Sequence, residues 1–256
     1  MKKFILYFLL ALIFLGLGTL IFGFYNARHI RSFAKSADEI NGRYNMAVRV
    51  KEIEKTYQKN TTRNTADLQN EESEFVSKLN DISKEAKAAA VEVEKLSTPR
   101  LAEPVRGQML VYYQKSGEQL ENLESLSRFI GQIFEVGVVF DKIKEDVSLN
   151  QMRDLIVEAK TKNTAVDTGK LPKDLQESAE SLKASTDQFL FMMESVASGA
   201  TEKSDELTGA YGEFSKKEDE YFANSRNFIN SFEDLAPLRK NIDAELSNLR
   251  QIYFKI

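Results

Sequence analysis

The chain has 256 residues, a formal net charge of −4, no cysteine and a single histidine, His29. Without cysteine, disulfides and thiolate metal sites are excluded, and one histidine excludes a zinc site of two or three histidines. A di-iron bundle that takes a histidine from each of two helices is excluded for the same reason. We therefore expect no cofactor and no metal.

An apolar run opens the chain, and no residue from Phe4 to Ala27 carries a charge. As a helix rising about 1.5 Å per residue, the stretch from Phe4 to Tyr25 spans about 33 Å, enough for a hydrocarbon core of about 30 Å. The run predicts an uncleaved single-pass anchor in the lipid bilayer. The predicted anchor residues include Phe4, Leu10, Phe14, Leu20, Phe24 and Tyr25.

A cleaved signal peptide is the alternative to an anchor. Signal peptides usually have an apolar core of only about 7–15 residues and small residues before the cut. Tyr25 is too bulky for its place before a cut after Ala27, and the aromatic residues at 22, 24 and 25 are typical of a membrane interface. These features favour an anchor that is retained.

The orientation of this anchor rests on two opposing arguments. Lysines at 2 and 3 precede the apolar run, and basic residues at 28, 31, 35 and 43 follow it. Counting positive charges favours a cytoplasmic body. A short basic start joined directly to an apolar core is instead typical of a signal-anchor, which exports the chain on its C-terminal side. We give the second argument more weight and expect the body in the cell envelope, outside the cytoplasm.

Charge is distributed unevenly along the chain. Residues 1–65 carry 11 Lys and Arg against four Asp and Glu, whereas residues 66–256 carry 24 against 35. We predict a membrane anchor at 1–27, a basic juxtamembrane stem helix at 28–65 and an acidic helical bundle domain at 66–256. The acidic body argues against nucleic acid as a partner, because a phosphate backbone requires a basic face. The basic stem fits either contact with anionic headgroups or an ordinary solvated helix.

Apolar residues recur in the body at alternating spacings of four and three, which predicts amphipathic helices. The first stripe is Leu68, Phe75, Leu79, Ile82, Ala86, Ala89, Val93 and Leu96. The second is Leu175, Ala179, Leu182, Phe189, Met193 and Val196, with Thr186 as a polar exception. The third is Leu207, Tyr211, Phe214, Tyr221, Phe228, Phe232 and Leu235, interrupted by Glu218 and Ser225. The fourth is Leu238, Ile242, Leu246, Leu249 and Tyr253.

Such stripes cannot remain in water, so the helices are expected to pack against one another. The predicted fold is all-α, with an N-terminal transmembrane helix followed by an antiparallel bundle or coiled-coil-like body. Prolines at 99, 172 and 237 are predicted to mark helix starts. Their spacing fits either a divergent helical-hairpin repeat of roughly 70 residues or ordinary, unrelated helix starts.

Three further segments are notable. The stretch 58–69 is almost wholly polar and predicts a break or a polar part of a longer helix. The stretch 163–172 contains Asn, Asp, Thr, Gly and Pro and predicts a loop. The stretch 129–147 is the most apolar part of the body and predicts a central core helix. Its alternative is a helix that contacts a partner or the membrane.

Motifs for chemistry are lacking. The sequence has no glycine-rich phosphate loop and no nucleophile elbow, so we expect no catalytic residues and no enzyme activity. Four aromatic residues adjoin the stripes or their edges and are candidates for an exposed partner surface. They are Tyr113, Phe191, Phe222 and Phe254.

These features favour a membrane-tethered helical interaction or scaffold protein without catalytic activity. Its expected partners are the lipid bilayer and either another protein or a second copy of the chain. The alternative is an extracytoplasmic sensory or ligand-binding domain of the four-helix type, which acts through a partner.

Overall fold

A computed structural model describes residues 2–46, 48–49, 65–143 and 147–253 of the chain. Side chains are described at 18–46, 48–49, 74–140, 142–143, 147–200 and 202–253. The described residues form seven α-helices, and they contain no strand, which confirms the all-α prediction. The helices are α1 (Lys2–Tyr44), α2 (Thr65–Glu94), α3 (Glu103–Asp141), α4 (Leu149–Ala165), α5 (Lys173–Ala197), α6 (Ser204–Asn230) and α7 (Ala236–Arg250). Single 3-10 turns at Arg100–Ala102 and Thr201–Lys203 precede α3 and α6.

The chain divides into two compact units, each assembled from separate segments. Unit 1 comprises Met1–Lys51, Ile82–Glu118 and Asp234–Ile256. Unit 2 comprises Glu52–Asp81 and Gln119–Glu233. Helices α2 and α3 therefore each contribute one part to each unit. The predicted division at 1–27, 28–65 and 66–256 is linear and differs from this interleaved arrangement.

The C-terminal half of α1 contributes a buried face to unit 1. This helix runs without a break from Lys2 to Tyr44 and packs against α7. Its buried apolar residues recur at helical spacing and form one face: Ala27, Ile30, Phe33, Ala34, Ala37 and Ile40. From Ile30 onward these residues lie within the predicted stem and contribute to the buried core of unit 1. The predicted domain bounds stay a prediction.

Unit 2 packs α4, α5 and α6 against the C-terminal half of α3. One buried cluster contains Leu126, Phe129, Val166, Leu171, Leu175, Ala179, Leu182 and Tyr221. A second contains Val136, Val139, Ile156, Ala159, Leu190 and Ala197. Since Phe129, Val136 and Val139 are all in these clusters, the stretch from 129 does form a central core helix.

That central helix ends earlier than predicted, at Asp141 rather than 147. The next helix starts with a capping box at Ser148. The backbone N–H of Gln151 donates to Ser148 Oγ at 3.4 Å, and the backbone N–H of Ser148 donates to Gln151 Oε1 at 3.1 Å. The two bonds satisfy amide groups that the new helix would otherwise leave unpaired, and so fix its start.

Other predicted boundaries are confirmed. Pro99 precedes a 3-10 turn, Pro172 is the N-cap of α5, and Pro237 lies in the first turn of α7. The loop predicted at 163–172 corresponds to the connection between Ala165 and Lys173. The predicted polar break at 58–69 lies largely outside the described residues, and α2 begins at Thr65. The helical-hairpin repeat stays a prediction.

The apolar stripes give most of the buried faces correctly. The first stripe buries Leu79, Ile82, Ala86, Ala89 and Val93. Two aromatic members of later stripes were placed wrongly, since the side chains of Tyr211 and Tyr253 are 56% and 67% exposed. Their rings still contact neighbouring side chains, since Tyr211 lies 5.5 Å from Phe189 between ring centroids and Tyr253 lies beneath the Arg31 guanidinium.

Candidate functional site

An exposed apolar band lies on α1 just before the buried face that this helix contributes to the core of unit 1. It comprises Leu20, Ile21, Phe22, Phe24 and Tyr25, whose side chains are 49–69% exposed. Among the described residues, no helix is both long enough and apolar enough to cross a membrane. Of the predicted anchor residues, Leu20, Phe24 and Tyr25 belong to this band. The side chains of Phe4, Leu10 and Phe14 lie outside the described set.

Polar residues follow the band on the next turn of α1. The ring centroids of Tyr25 and His29 are 5.5 Å apart. The Arg31 guanidinium carbon lies 5.0 Å from the centroid of the Tyr253 ring, which joins α1 to the residues after α7. The change from apolar to basic side chains therefore coincides with the start of the buried face of α1 at Ala27.

A buried hydrogen bond fixes the far end of α1. The Tyr113 hydroxyl donates to Asn41 Oδ1 at 2.7 Å, and the two residues are 0% and 4% exposed. Burial raises the pKa of Tyr113. Among the described residues, Asn41 Nδ2 is buried without a hydrogen-bond partner, so the amide relies on its contact with Tyr113. Tyr113 was predicted as an exposed partner surface, and that prediction is wrong because its hydroxyl is needed inside the core.

Surface ion pairs add to this attachment. Arg43 Nη1 donates to the two Glu92 carboxylate oxygens at 2.8 and 2.9 Å, and the Tyr44 hydroxyl donates to Glu92 at 2.7 Å. Arg250 of α7 approaches Asp38 at 2.6 Å. Exposed pairs contribute only about 0–1 kcal/mol each. The buried Tyr113–Asn41 contact and the apolar face of α1 therefore dominate the attachment.

Replacing Tyr113 by Phe is expected to lower the free energy of unfolding by about 1–3 kcal/mol, because it leaves the Asn41 amide buried with no partner. Urea unfolding followed by circular dichroism measures this difference. Tyr253→Phe in the same unit is the control and should change stability by less than about 0.5 kcal/mol, since Tyr253 is exposed. Equal effects would show that the buried bond contributes nothing.

The other predicted partner residues differ in exposure where they are described. Phe191 is 55% exposed on α5, with Lys160 Nζ 5.8 Å from its ring centroid. Phe222 is only partly exposed and packs against the core cluster around Tyr221. Phe254 lies outside the described residues. Phe191 alone among the three described candidates is largely exposed.

Unit 2 contains an apolar cavity of about 230 Å³ between α3, α5 and α6. Most of its lining side chains are hydrocarbon or aromatic. The lining includes Ile130, Ile133, Phe134, Val138, Phe140, Phe214 and Phe222. Two polar residues complete it, Thr186 of α5 and Glu218 of α6. These are two of the residues that interrupt their apolar stripes in the sequence, and the fold brings them to one place.

The two polar groups differ in how they are satisfied. The Thr186 hydroxyl donates to the Leu182 carbonyl of its own helix at 2.8 Å. In the described part of the chain no cation is among the groups that influence Glu218, whose pKa is raised first by burial and then by the neighbouring Asp219. Lys217 is directed to Glu220, at 2.8 Å. Glu218 thus places an uncompensated carboxyl beside an apolar cavity.

Replacing Glu218 by Gln is expected to stabilise the protein at neutral pH and to have little effect well below the ordinary glutamate pKa of about 4.5. Because the pKa is raised in the folded state, folding holds this proton more tightly than the unfolded chain does. The contribution of Glu218 to stability is therefore fully present below the ordinary pKa and is lost as pH rises through the raised value. Urea unfolding at acidic and neutral pH tests this, with the exposed Glu180→Gln as the control. An equal gain at both pH values, or the same gain in the control, would contradict it.

A larger cleft of about 780 Å³ lies elsewhere in unit 2, beside α2 and α3. Its charged groups are already paired within the protein. Arg128 lies 2.8 Å from Glu124, Lys170 lies 2.9 Å from Asp167, and a third lining carboxylate, Glu135, lies 3.0 Å from Lys162. The cleft consequently offers a charged ligand no vacant counter-charge among these groups.

Neither a metal-binding group of side chains in the described residues nor a related protein indicates which chemistry this protein performs. Within the described ranges, no group of three or more His, Cys, Asp or Glu side chains is arranged to hold a metal ion. No protein family model, curated protein or solved structure matches this chain. The cavity was not predicted from the sequence, although the interruptions at Thr186 and Glu218 were a usable signal of it.

Proposed function

We propose that the protein is a membrane-tethered helical scaffold without catalytic activity, held to the bilayer by α1. One observation carries this proposal: α1 is a single helix from Lys2 to Tyr44, and it joins the uncharged apolar run directly to the core of unit 1. A helix without a break transmits position and orientation from one end to the other. Whatever surrounds the apolar run therefore also fixes unit 1.

The exposed apolar band supports a bilayer as that environment. Burying apolar surface is worth about 25 cal/mol per Å², and five adjacent large apolar side chains in water forgo this gain. Aromatic residues such as Phe24 and Tyr25 are favoured where hydrocarbon meets headgroups. The basic residues Arg28, Arg31 and Lys35 follow within the next turns and suit the headgroup region.

The proposed place of the body is the cell envelope, outside the cytoplasm. The order of a short basic start and an apolar core supports export, although the positive residues after the run favour the opposite orientation. A reporter fused after residue 256 tests this directly. Activity of a periplasm-specific reporter supports export, whereas activity of a cytoplasm-specific reporter would reverse the topology.

Membrane extraction tests the tether itself. A retained anchor should keep the full chain with membranes through high salt and alkaline carbonate, and its intact mass should include the apolar run. A protein held only by its basic residues would be released by salt. A chain shortened by the whole apolar run, or released by carbonate, would overturn the proposal.

The scaffold would present its helical body to a protein partner or to a second copy of itself. Phe191 is the described exposed aromatic residue available for such contact in α5. Cross-linking in membranes with wild type and Phe191→Ser tests its part in the contact. A partner lost in the variant supports the assignment, and an unchanged pattern removes Phe191 from the interface.

The alternative function, a ligand-binding domain that acts through a partner, is favoured by a different observation. The apolar cavity of unit 2 has a defined lining and one uncompensated carboxyl. Such a cavity suits a small molecule better than a protein surface. The two functions are compatible, because the cavity and the tether use different residues.

A further inference from the structure

The cavity between α3, α5 and α6 has the composition of a binding site for a small organic cation. Four of its lining residues are phenylalanines: Phe134, Phe140, Phe214 and Phe222. The faces of aromatic rings carry partial negative charge and attract ammonium groups. The cavity volume of about 230 Å³ exceeds the ~150 Å³ that is enough for a benzene ring in an apolar protein cavity.

The aromatic rings on one side are held in place by a further ring behind them. Phe189 lies 5.5 Å from Phe140 and 5.7 Å from Phe214 between ring centroids. The Phe189 and Phe214 rings are nearly parallel, at 12°. Packing of this kind restricts the rotamers of Phe140 and Phe214, so this side of the cavity is largely formed before a ligand arrives.

Glu218 supplies the charge that an apolar cavity would not need for its own stability. The nearest lysine in sequence, Lys217, is paired with Glu220. Within the described chain, the pKa of Glu218 is raised by burial and by the carboxylate of Asp219. A partly buried carboxylate without a cation is unfavourable. A ligand that brings a positive charge would remove this penalty, whereas an anionic ligand would increase it.

Gly137 contributes open space to this same cavity. Gly137 lies within α3 and lines the cavity, and a Cβ atom added there would meet nothing within 4 Å. Glycine in a helix interior is less favourable than alanine by about 0.5–1 kcal/mol. A side chain at this position would occupy the cavity, so glycine preserves its volume.

We propose that this cavity binds a small amphiphilic amine, with the apolar body among the phenylalanine side chains and the ammonium group beside Glu218. The proposal goes beyond the tether and does not depend on it, because every residue that it uses lies in unit 2.

Titration calorimetry on the full chain in lipid nanodiscs tests this, with empty nanodiscs as the blank. The probes are 2-phenylethylammonium, its neutral isostere 2-phenylethanol and the anion 3-phenylpropanoate. We expect the ammonium to bind about tenfold more tightly than the alcohol, because only the ammonium makes a charge-assisted contact. The anion should bind more weakly than the alcohol.

Two pairs of variants locate the site. Glu218→Gln should weaken the ammonium about tenfold and leave the alcohol unchanged, whereas the exposed Glu180→Gln should change neither by more than about twofold. Gly137→Leu should abolish binding of both by filling the cavity. Gly212→Leu is its control, since Gly212 lies exposed on α6 with nothing within 4 Å of an added Cβ, and it does not line the cavity.

Several outcomes would overturn the proposal. Equal binding of ammonium and alcohol to the wild type would reduce the site to a non-selective apolar cavity. Unchanged ammonium binding in Gly137→Leu would place the probe elsewhere, and no heat above the blank would remove the site. Dimerisation that Gly137→Leu abolishes, in a chain that binds no amine, would assign the cavity to a second copy instead. Each result is independent of membrane extraction and so leaves the tether proposal to its own test.

Discussion

Removal of residues 1–25 is expected to leave the helical body folded, whereas removal of residues 1–35 is expected to unfold unit 1. The first deletion ends at the exposed apolar band, whose five large side chains are 49–69% exposed. The second also removes the buried residues Ala27, Ile30, Phe33 and Ala34. The ten residues 26–35 of α1 are therefore expected to determine whether unit 1 folds.

The expected difference is large because these residues are almost fully buried. Ile30 is 1% exposed and Phe33 is 3% exposed. Truncation of a buried Ile to Ala costs about 2–5 kcal/mol and of a buried Phe about 3–5 kcal/mol, and deletion removes more than truncation does. The net stability of a domain is only about 5–15 kcal/mol, so their combined loss approaches or exceeds it.

Circular dichroism and urea unfolding of the two fragments measure this effect. The fragment 26–256 should be soluble without detergent and more than about half helical, above the base rate of about one-third for ordinary domains. The fragment 36–256 should show an earlier or separate unfolding transition and lower helicity. Identical midpoints would show that α1 contributes no stability to unit 1.

Periodicity alone predicts the buried face of a helix well when the contacts repeat along that helix. The stripe through Leu79 and Val93 gives the buried face of α2 because those contacts repeat along the helix itself. Pro172 gives the start of α5 because its backbone restriction is local. The sequence alone suggests a soluble fragment that starts at about residue 36. Because buried residues of unit 1 lie before that position, we expect a start at residue 26 to give the more stable fragment. A continuous apolar run conceals, at the level of sequence, where the core face of α1 begins.

Long-range contacts explain the wrong assignment of Tyr113. Its partner Asn41 is 72 residues away in sequence, on a helix that was predicted to be a separate stem. The sequence around Tyr113 does not indicate that its hydroxyl bonds to a buried amide. The identity of such pairs depends on the packing of helices, which a pattern within one helix does not specify.

The cavity was predictable in part. Thr186 and Glu218 both appear in the sequence as polar interruptions of apolar stripes, and a polar residue on a core face is unusual enough to suggest a function. That they line one cavity with Gly137 depends on the register of α5 and α6 against α3. Register across three helices is set by side-chain interdigitation and is not contained in any single stripe.

The core of α5 gives the second large effect. Leu182→Ala is expected to lower the free energy of unfolding by about 2–5 kcal/mol, because Leu182 is fully buried in the cluster with Leu175 and Tyr221. Chemical denaturation monitored by circular dichroism measures the loss. The exposed Gln188→Ala on the same helix is the control and should change stability by less than about 0.5 kcal/mol.

The adjacent Lys183 is a position where the structure and a simple division of α5 into apolar and polar faces lead to different expectations. Such a division makes Lys183→Ala as neutral as the control. In the structure, Lys183 Nζ donates to the carbonyls of Thr164 and Val166 at 3.2 and 2.8 Å, and so closes the end of α4. Hydrogen bonds from a charged donor contribute about 1.5–3 kcal/mol at most, and partial exposure reduces this, so we expect a loss of about 1 kcal/mol. A loss in Lys183→Ala equal to that in Gln188→Ala would show that the α4 terminus is held by packing alone, since the lysine would then act only as a solvated surface charge.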